Sequence, residues 1–213
     1  MKNTFINDNA LQKAPLKTTP FPYCVIPNFI QPEYMQTLAE LFPQISHGGS
    51  LPASSMQAHE TFHAFVRELE GQVLKQAIAE KFSLDLSDKP TMLTLRGMTR
   101  ERDGVIHTDS KSKLITLLLY MNPTWESDGG KLRLLKNQHS LDDYVEEISP
   151  LTGSCVIFQV TRNGWHGHKP YVGKRLSLQL NYLVNDTALH KHFNHHRFTA
   201  WLKRLFKRNQ EMY

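Results

Sequence analysis

The sequence predicts an α+β chain, with helices first and then closely spaced strands that build a β-sandwich or barrel core. Up to Phe82 the apolar residues recur at helical spacing, and from Thr91 the texture changes to short β-rich runs separated by turn signals. Composition sets the scale. With 213 residues, 40% hydrophobic and 10% aromatic, the chain can fill one core and has length left for a helical extension, but not for a second full domain. Such content excludes a disordered chain. A membrane span is excluded as well, because the longest apolar run, Leu114 to Met121, is broken by Thr116 and falls far short of the ~20 residues a spanning helix needs.

Residues 1–20 are polar and contain Pro15 and Pro20, which predicts a loose, flexible arm. Phe21 to Phe29 is an extended segment interrupted by Pro27. A helix follows, with Gln31 or a residue beside it at its start, Pro32 in its first turn and Pro43 as its end, and Tyr34, Leu38 and Leu41 on one face. His47 to Ser55 is a loop. His59 to Phe82 contains no proline, and Phe62, Phe65, Leu69 and Val73 keep helical period, so one long amphipathic helix is expected. Strands are expected at Thr91–Met98, Lys113–Met121, Lys131–Leu135, Ser154–Val160 and Arg175–Val184, with Asn122-Pro123 and Asp128-Gly129-Gly130 among the breaks. After Asn185, Phe198, Trp201, Leu205 and Phe206 mark a final amphipathic helix. The domain reading is an arm over 1–20, a single domain over 21–186 with its barrel at about 91–184, and a basic C-terminal helix over 187–213.

Charge is concentrated in that tail. Thr187 to Tyr213 holds six Lys/Arg and one acid, enough to account for the whole net charge of +5. The remainder is neutral, which gives no ground for a nucleic-acid groove across the main body. No apolar core followed by small residues opens the chain, and the only cysteines are Cys24 and Cys155. The expectation is buried thiols in a reducing, cytoplasmic setting.

Three histidine groupings could carry chemistry. His107-Thr108-Asp109, joined by His166 or His168 far downstream, offers two imidazoles and a carboxylate to one face of an octahedral metal such as Fe(II), with positions left open for a co-substrate and O₂. Alone, the HxD tripeptide is common by chance. The strand after the second histidine strengthens it, because Arg175, Ser177, Gln179 and Asn181 alternate with Leu176, Leu178, Leu180 and Tyr182. Its polar face either meets water or lines a polar barrel interior, where Arg175 could grip a carboxylate with its planar fork. The second grouping, His59-Glu60-Thr61-Phe62-His63, is an HExxH pattern, the signature of zinc metallohydrolases with the Glu as general base. It lacks a suitably placed third ligand, since Glu80 lies one helix length away, roughly 25 Å. The third, His190, His192, His195 and His196, lies in the tail and reads as a solvated helix face or an adventitious metal binder.

From about Thr91 to Val184 the sequence resembles the prolyl 4-hydroxylase-like branch of the 2-oxoglutarate- and Fe(II)-dependent dioxygenases. The matching segments run in order: GVIHTDS, LITLLLYMN, a Trp followed by DGGKLRL, GSCVIFQV and WHGHKPYVGKRLSLQL. In that family the distal histidine is followed by Pro at +4 and by a basic residue at +9 or +10. Pro170 and Arg175 stand at those distances from His166, and too close to His168. The resemblance therefore implies His107, Asp109 and His166 as Fe(II) ligands. It also implies Arg175, helped by Tyr120 and Ser177, as the anchor of 2-oxoglutarate. The implied fold is a double-stranded β-helix, or jelly roll, with N-terminal flanking helices and a C-terminal amphipathic helix.

The implied activity is hydroxylation of an unactivated C–H bond, on a prolyl or other amino-acid residue of a peptide or protein, with O₂ consumed and succinate and CO₂ released. L-Ascorbate is an accessory of such enzymes. The other readings are a small-metabolite hydroxylase of the same family, a zinc metallohydrolase built on His59, Glu60 and His63, and a non-catalytic jelly-roll binding module. The polar stretch between Arg133 and Pro150 sits where a lid could, Thr91 to Arg102 could line the mouth, and the C-terminal helix could pair two copies into a homodimer.

Overall fold

The computed structural model describes residues 4–189. Two antiparallel sheets form its centre. The strands are β1 (Tyr23–Ile26), β2 (Leu51–Pro52), β3 (Thr91–Thr99), β4 (Lys113–Tyr120), β5 (Leu132–Leu135), β6 (Tyr144–Ile148), β7 (Cys155–Gln159), β8 (His166–Gly167) and β9 (Gly173–Leu183). The larger sheet has the order β1-β7-β4-β9-β3-β2, and the smaller has β6-β5-β8. Phe21, Tyr23, Tyr120, Val156 and Phe158 of the larger side pack with Leu132, Leu134 and Ile148 of the smaller, so the sheets lie face to face as a jelly roll.

The other face of the large sheet is covered by helices. Leu93, Leu95, Leu117, Leu176, Leu178 and Leu180 share one apolar cluster with Leu38, Phe62, Phe65, Leu69, Leu74 and Ile78. Period-2 alternation along β9 does the sorting: Leu176, Leu178, Leu180 and Tyr182 face the helices, while Arg175, Ser177, Gln179 and Asn181 take the opposite, interior face.

The helices are α1 (Asp8–Lys13), α2 (Pro32–Glu40), α3 (Glu60–Leu69) and α4 (Gln72–Phe82). Helix α2 begins as expected, with Pro32 directly after Gln31. Two helical expectations are corrected. The single long helix over 59–82 is two helices, broken at Glu70-Gly71. Leu69 and Leu74 are both fully buried yet five residues apart, which puts them about 140° from each other on one straight helix. The bend at Gly71 returns Leu74, Ile78 and Phe82 to the core, whereas Val73 is only half-buried. The loose arm over 1–20 is ordered over 4–20. It carries α1, capped by Asn7, and buries Phe5, Ile6 and Leu11. The Glu68 carboxylate of α3 accepts from the backbone N–H of Thr4, Phe5 and Ile6, each at 2.8 Å, which ties the arm to the helical layer.

The stretch between Arg133 and Pro150 is not a free lid. Its second half is strand β6, paired with β5. Both cysteines are free and buried. Among the described residues no helix is long and apolar enough to cross a membrane. The chain turns helical again at 186–189, where Asn185 Oδ1 accepts from Ala188 N at 2.9 Å. The rest of the expected C-terminal helix, its homodimer role and the histidines from His190 onward lie outside the described residues.

Candidate metal and co-substrate site

The site is assembled by backbone pairing between distant segments. His107 and His166 form an isolated antiparallel bridge, each N–H donating to the other's carbonyl at 3.0 Å. This brings the two rings to a 4.3 Å centroid separation. Asp109, two residues on, completes the group, and one ligating atom from each of His107, Asp109 and His166 lies within 4.8 Å of the others. Among the described residues this is the one cluster of three such groups.

The ring tautomers fit a metal. Nδ1 of His107 is 2.8 Å from the Val105 carbonyl and Nδ1 of His166 is 2.9 Å from the Gly164 carbonyl. A carbonyl only accepts, so in both rings Nδ1 carries the proton and Nε2 keeps its lone pair. Burial, reinforced by the charge of His107, pushes the His166 pKa down to about 4, so the imidazole is neutral and ready to coordinate. Asp109 is the complementary case. Burial alone would raise its carboxyl, but Lys113, His166 and the Thr116 hydroxyl together hold it below the ordinary aspartate range.

Lys113 Nζ sits 3.0 Å from Asp109 Oδ1, and Thr116 Oγ1 donates to Oδ2. Thr116 has one hydroxyl proton, and the acceptor-only carboxylate takes it. Asn181 Oδ1 lies 3.0 Å from Thr116 Oγ1 and accepts from Gln179 Nε2 at 3.2 Å. The Asp109 carboxylate is thus held by side chains of β4, with Asn181 of β9 beside them.

Across the same pocket lies Arg175, buried on β9. Its Nε donates to the Gly130 carbonyl at 2.7 Å and its Nη2 to Tyr120 Oη at 3.2 Å. Gly130 has φ +77, and a Cβ there would meet the Trp125 ring at 2.6 Å, so a glycine is required where the carbonyl turns toward Arg175. Tyr120 is fully buried, and burial raises its hydroxyl pKa, so it stays a neutral donor or acceptor. Ser177, also buried, faces the pocket beside them. No carboxylate of the described residues pairs with Arg175. His168, two residues after His166, is buried with its pKa pushed down to about 4 by burial and the Arg175 charge. Its backbone N–H donates to Gly104 O, and it lines the pocket without joining the triad. The pocket encloses about 110 Å³, room for on the order of ten water-sized groups.

The HExxH segment is used structurally. His59 Nδ1 caps α3 by accepting from Thr61 N at 3.2 Å, and Glu60 pairs with Arg67 at 2.6 Å. The sequence reading missed Lys113 and Thr116; it had Asn181 on the polar face of the β9 strand and Arg96 only within the stretch from Thr91 to Arg102. Thr116 was within reach of it, because positions 116, 118 and 120 alternate onto the face that carries Tyr120.

Residues 96–183 match the family described as the 2OG-Fe(II) oxygenase superfamily. No curated protein matches the sequence. Among solved structures, the fold is similar to a prolyl-4-hydroxylase from Pseudomonas putida, with a TM-score of 0.54 and 18% identity, covering 83% of this chain and 97% of that one. It is also similar to a prolyl hydroxylase from Trichoplax adhaerens in complex with a hypoxia inducible factor peptide fragment, with a TM-score of 0.53, 18% identity and coverage of 85% and 90%. A 2OG-Fe(II) oxygenase family oxidoreductase from Burkholderia pseudomallei gives a TM-score of 0.55 at 9% identity, covering 86% and 93%. The matched segment, residues 96–183, contains the His107, Asp109 and His166 triad and Arg175, and the fold around it is similar to that of prolyl hydroxylases.

Proposed function

We propose that the protein hydroxylates an unactivated C–H bond of a prolyl or other amino-acid residue in a peptide or protein, using Fe(II), 2-oxoglutarate and O₂. One oxygen atom enters the substrate as hydroxyl and the other enters succinate, while the C1 carboxylate of 2-oxoglutarate leaves as CO₂. The observation that carries this reading is one pocket with two features. Two Nδ1-protonated histidines and a restrained aspartate converge in it, and a buried arginine without a carboxylate partner among the described residues lines it too.

His107 and His166 would present Nε2 to iron and Asp109 one carboxylate oxygen, with Lys113 and Thr116 limiting how that carboxylate can turn. Bound iron and 2-oxoglutarate supply the oxidising power for breaking a strong C–H bond. Arg175 uses two of its five donors on Gly130 and Tyr120, which fixes the plane of the guanidinium. The remaining N–H groups are left for the distal carboxylate of 2-oxoglutarate, with Tyr120 and Ser177 beside it. A pocket of this size holds one small dicarboxylate, so a peptide would lie across its mouth. The fold's similarity to a prolyl hydroxylase in complex with a peptide supports a peptide or protein substrate.

Anaerobic difference spectroscopy with Fe(II) and 2-oxoglutarate tests the reading. A weak visible charge-transfer band is expected for the wild type and lost in His107→Ala and Arg175→Ala. Succinate release stimulated by prolyl peptides then tests the substrate class. Absence of the band, with Zn(II) binding that depends on His59 and His63, overturns the assignment.

A further inference from the structure

Arg96 lies on β3 opposite Ser177 of β9, which in turn pairs with Tyr120 of β4, so the three form one row across the interior of the large sheet. Like Arg175, Arg96 lines the pocket that holds the triad. It is half-buried, and its guanidinium makes one contact, Nη2 to Ser50 Oγ at 3.3 Å, with no ion pair to any described carboxylate. The acid whose charge bears on it, Asp103, has its carboxylate bound by the backbone N–H, Nε and Nη2 of Arg100. Burial and the charge of Arg175 both work against the ionised form of Arg96. Two arginines facing one pocket without counter-ions repel each other, an arrangement that becomes favourable when anions enter.

One dianionic co-substrate does not absorb both. With iron(II), Asp109 and Lys113 at the metal and Arg175 at the distal carboxylate, the two negative charges of 2-oxoglutarate are already more than matched, and Arg96 adds a further positive charge. The two arginines differ in exposure and in bracing. Arg175 is buried and bonded to Tyr120 and Gly130, whereas Arg96 is half-buried and braced by Ser50, the last residue of the exposed-to-half-buried loop at 46–50.

We infer that Arg96, steadied by Ser50, recognises a carboxylate on the primary substrate, so that the group hydroxylated belongs to an acid. This inference rests on the reading under Proposed function and names its substrate class. The carboxylate could be the terminal one of a free amino acid or small acid, or the side chain of an acidic residue in a peptide. A guanidinium fork meets either in the same bidentate way.

The experiment uses full-length protein loaded with Mn(II), which holds the site without turnover, and saturated with 2-oxoglutarate. The probes are two acid–amide pairs: N-acetyl-L-proline with N-acetyl-L-prolinamide, and the α-amide of N-acetyl-L-glutamate with N-acetyl-L-glutaminamide. Paramagnetic broadening of the probe proton lines reports binding next to the metal. At least one acid is expected to bind about tenfold or more tightly than its amide, as loss of a charge-assisted pair implies, and the pair that shows it identifies the carboxylate source.

In Arg96→Gln the acid preference is expected to vanish while 2-oxoglutarate affinity, read by calorimetry, stays within about threefold. Arg175→Gln should lose tenfold or more of that affinity. Equal binding of acids and amides overturns the inference, and so does a loss of 2-oxoglutarate affinity in Arg96→Gln matching that of Arg175→Gln. If the wild type binds neither Mn(II) nor 2-oxoglutarate, the reading under Proposed function falls and takes this one with it, a result separable from the previous two. Should Arg96→Gln fail to fold by circular dichroism, Arg96→Lys and Ser50→Ala carry the same comparison, with a several-fold loss of acid preference expected and an unchanged preference overturning it.

Discussion

Arg133 and Arg175 are buried almost equally, at 7% and 5% exposure, yet they live in opposite electrostatic circumstances. Arg133, on β5 of the small sheet, donates from Nε to Glu147 and from Nη1 to Asp142, both at 2.6 Å, and its guanidinium lies 4.5 Å over the Tyr144 ring. Its charge is consumed in stapling the β5–β6 hairpin. Arg175, on the interior face of the large sheet, touches only a backbone carbonyl and a tyrosine hydroxyl. A buried cation that the fold leaves without an anion is a binding site waiting for one, whereas a buried cation with two carboxylates is architecture. Burial alone does not tell the two apart; pairing does.

The largest expected difference comes from exchanging each for methionine. Arg175→Met should weaken 2-oxoglutarate binding on the order of 100-fold, with stability held within about 1 kcal/mol, since no carboxylate is orphaned. Arg133→Met should do the reverse. About 2 kcal/mol of stability should be lost in denaturant unfolding, because half-buried Glu147 keeps only the looser Lys131 contact at 4.0 Å, with co-substrate affinity nearly intact. Equal losses of binding in the two variants would erase the distinction.

A smaller effect is expected at the Asp109 carboxylate, the proposed ligand. Thr116→Val keeps the shape of β4 and removes the hydroxyl that holds Asp109, so Mn(II) affinity should fall about tenfold while the melting temperature changes little. An unchanged affinity would mean that Lys113 alone orients the carboxylate.

The smallest effect concerns Glu70, a buried acid that is neither stapled nor waiting. Its one hydrogen-bonding contact is Thr91 Oγ1 at 3.5 Å, and burial raises its pKa above the ordinary glutamate value. A carboxyl raised on folding stabilises below its unfolded pKa and loses that contribution as pH rises through the folded one. Glu70→Gln should therefore melt close to the wild type near pH 4. By pH 7 it should be more stable by up to about 1 kcal/mol, a gap that thermal melts across that range would follow.

Much of this was legible in the sequence because strands announce themselves by alternation. The runs later found as β3, β4, β5, β7 and β9 were marked within one or two residues, and the polar face of β9 proved to be interior. The order of matched segments from GVIHTDS to WHGHKPYVGKRLSLQL pointed to the family. What stayed hidden depended on contacts distant in sequence. The arm over residues 4–20 looked loose because its order comes from Glu68, more than sixty residues away. Strand β6 looked like a loop because Glu146 and Glu147 are unusual strand residues until Lys17 and Arg133 answer them. The helix break at Gly71 was overlooked because Val73, not Leu74, was taken as the core position. Arg96 was covered only by the stretch from Thr91 to Arg102 expected at the mouth, since nothing local sets one arginine of that stretch apart from the others.

The reciprocal backbone bridge between His107 and His166 has a consequence for folding as well as for chemistry. It closes a long loop of chain that contains strands β4 to β7, and the ring nitrogens stand directly over the closure. A divalent ion held there would act as a reversible cross-link, removing configurational freedom from the unfolded chain much as a disulfide does. Amide protons of these two histidines should then exchange with solvent more slowly when metal is present, and the protein should resist proteolysis between them.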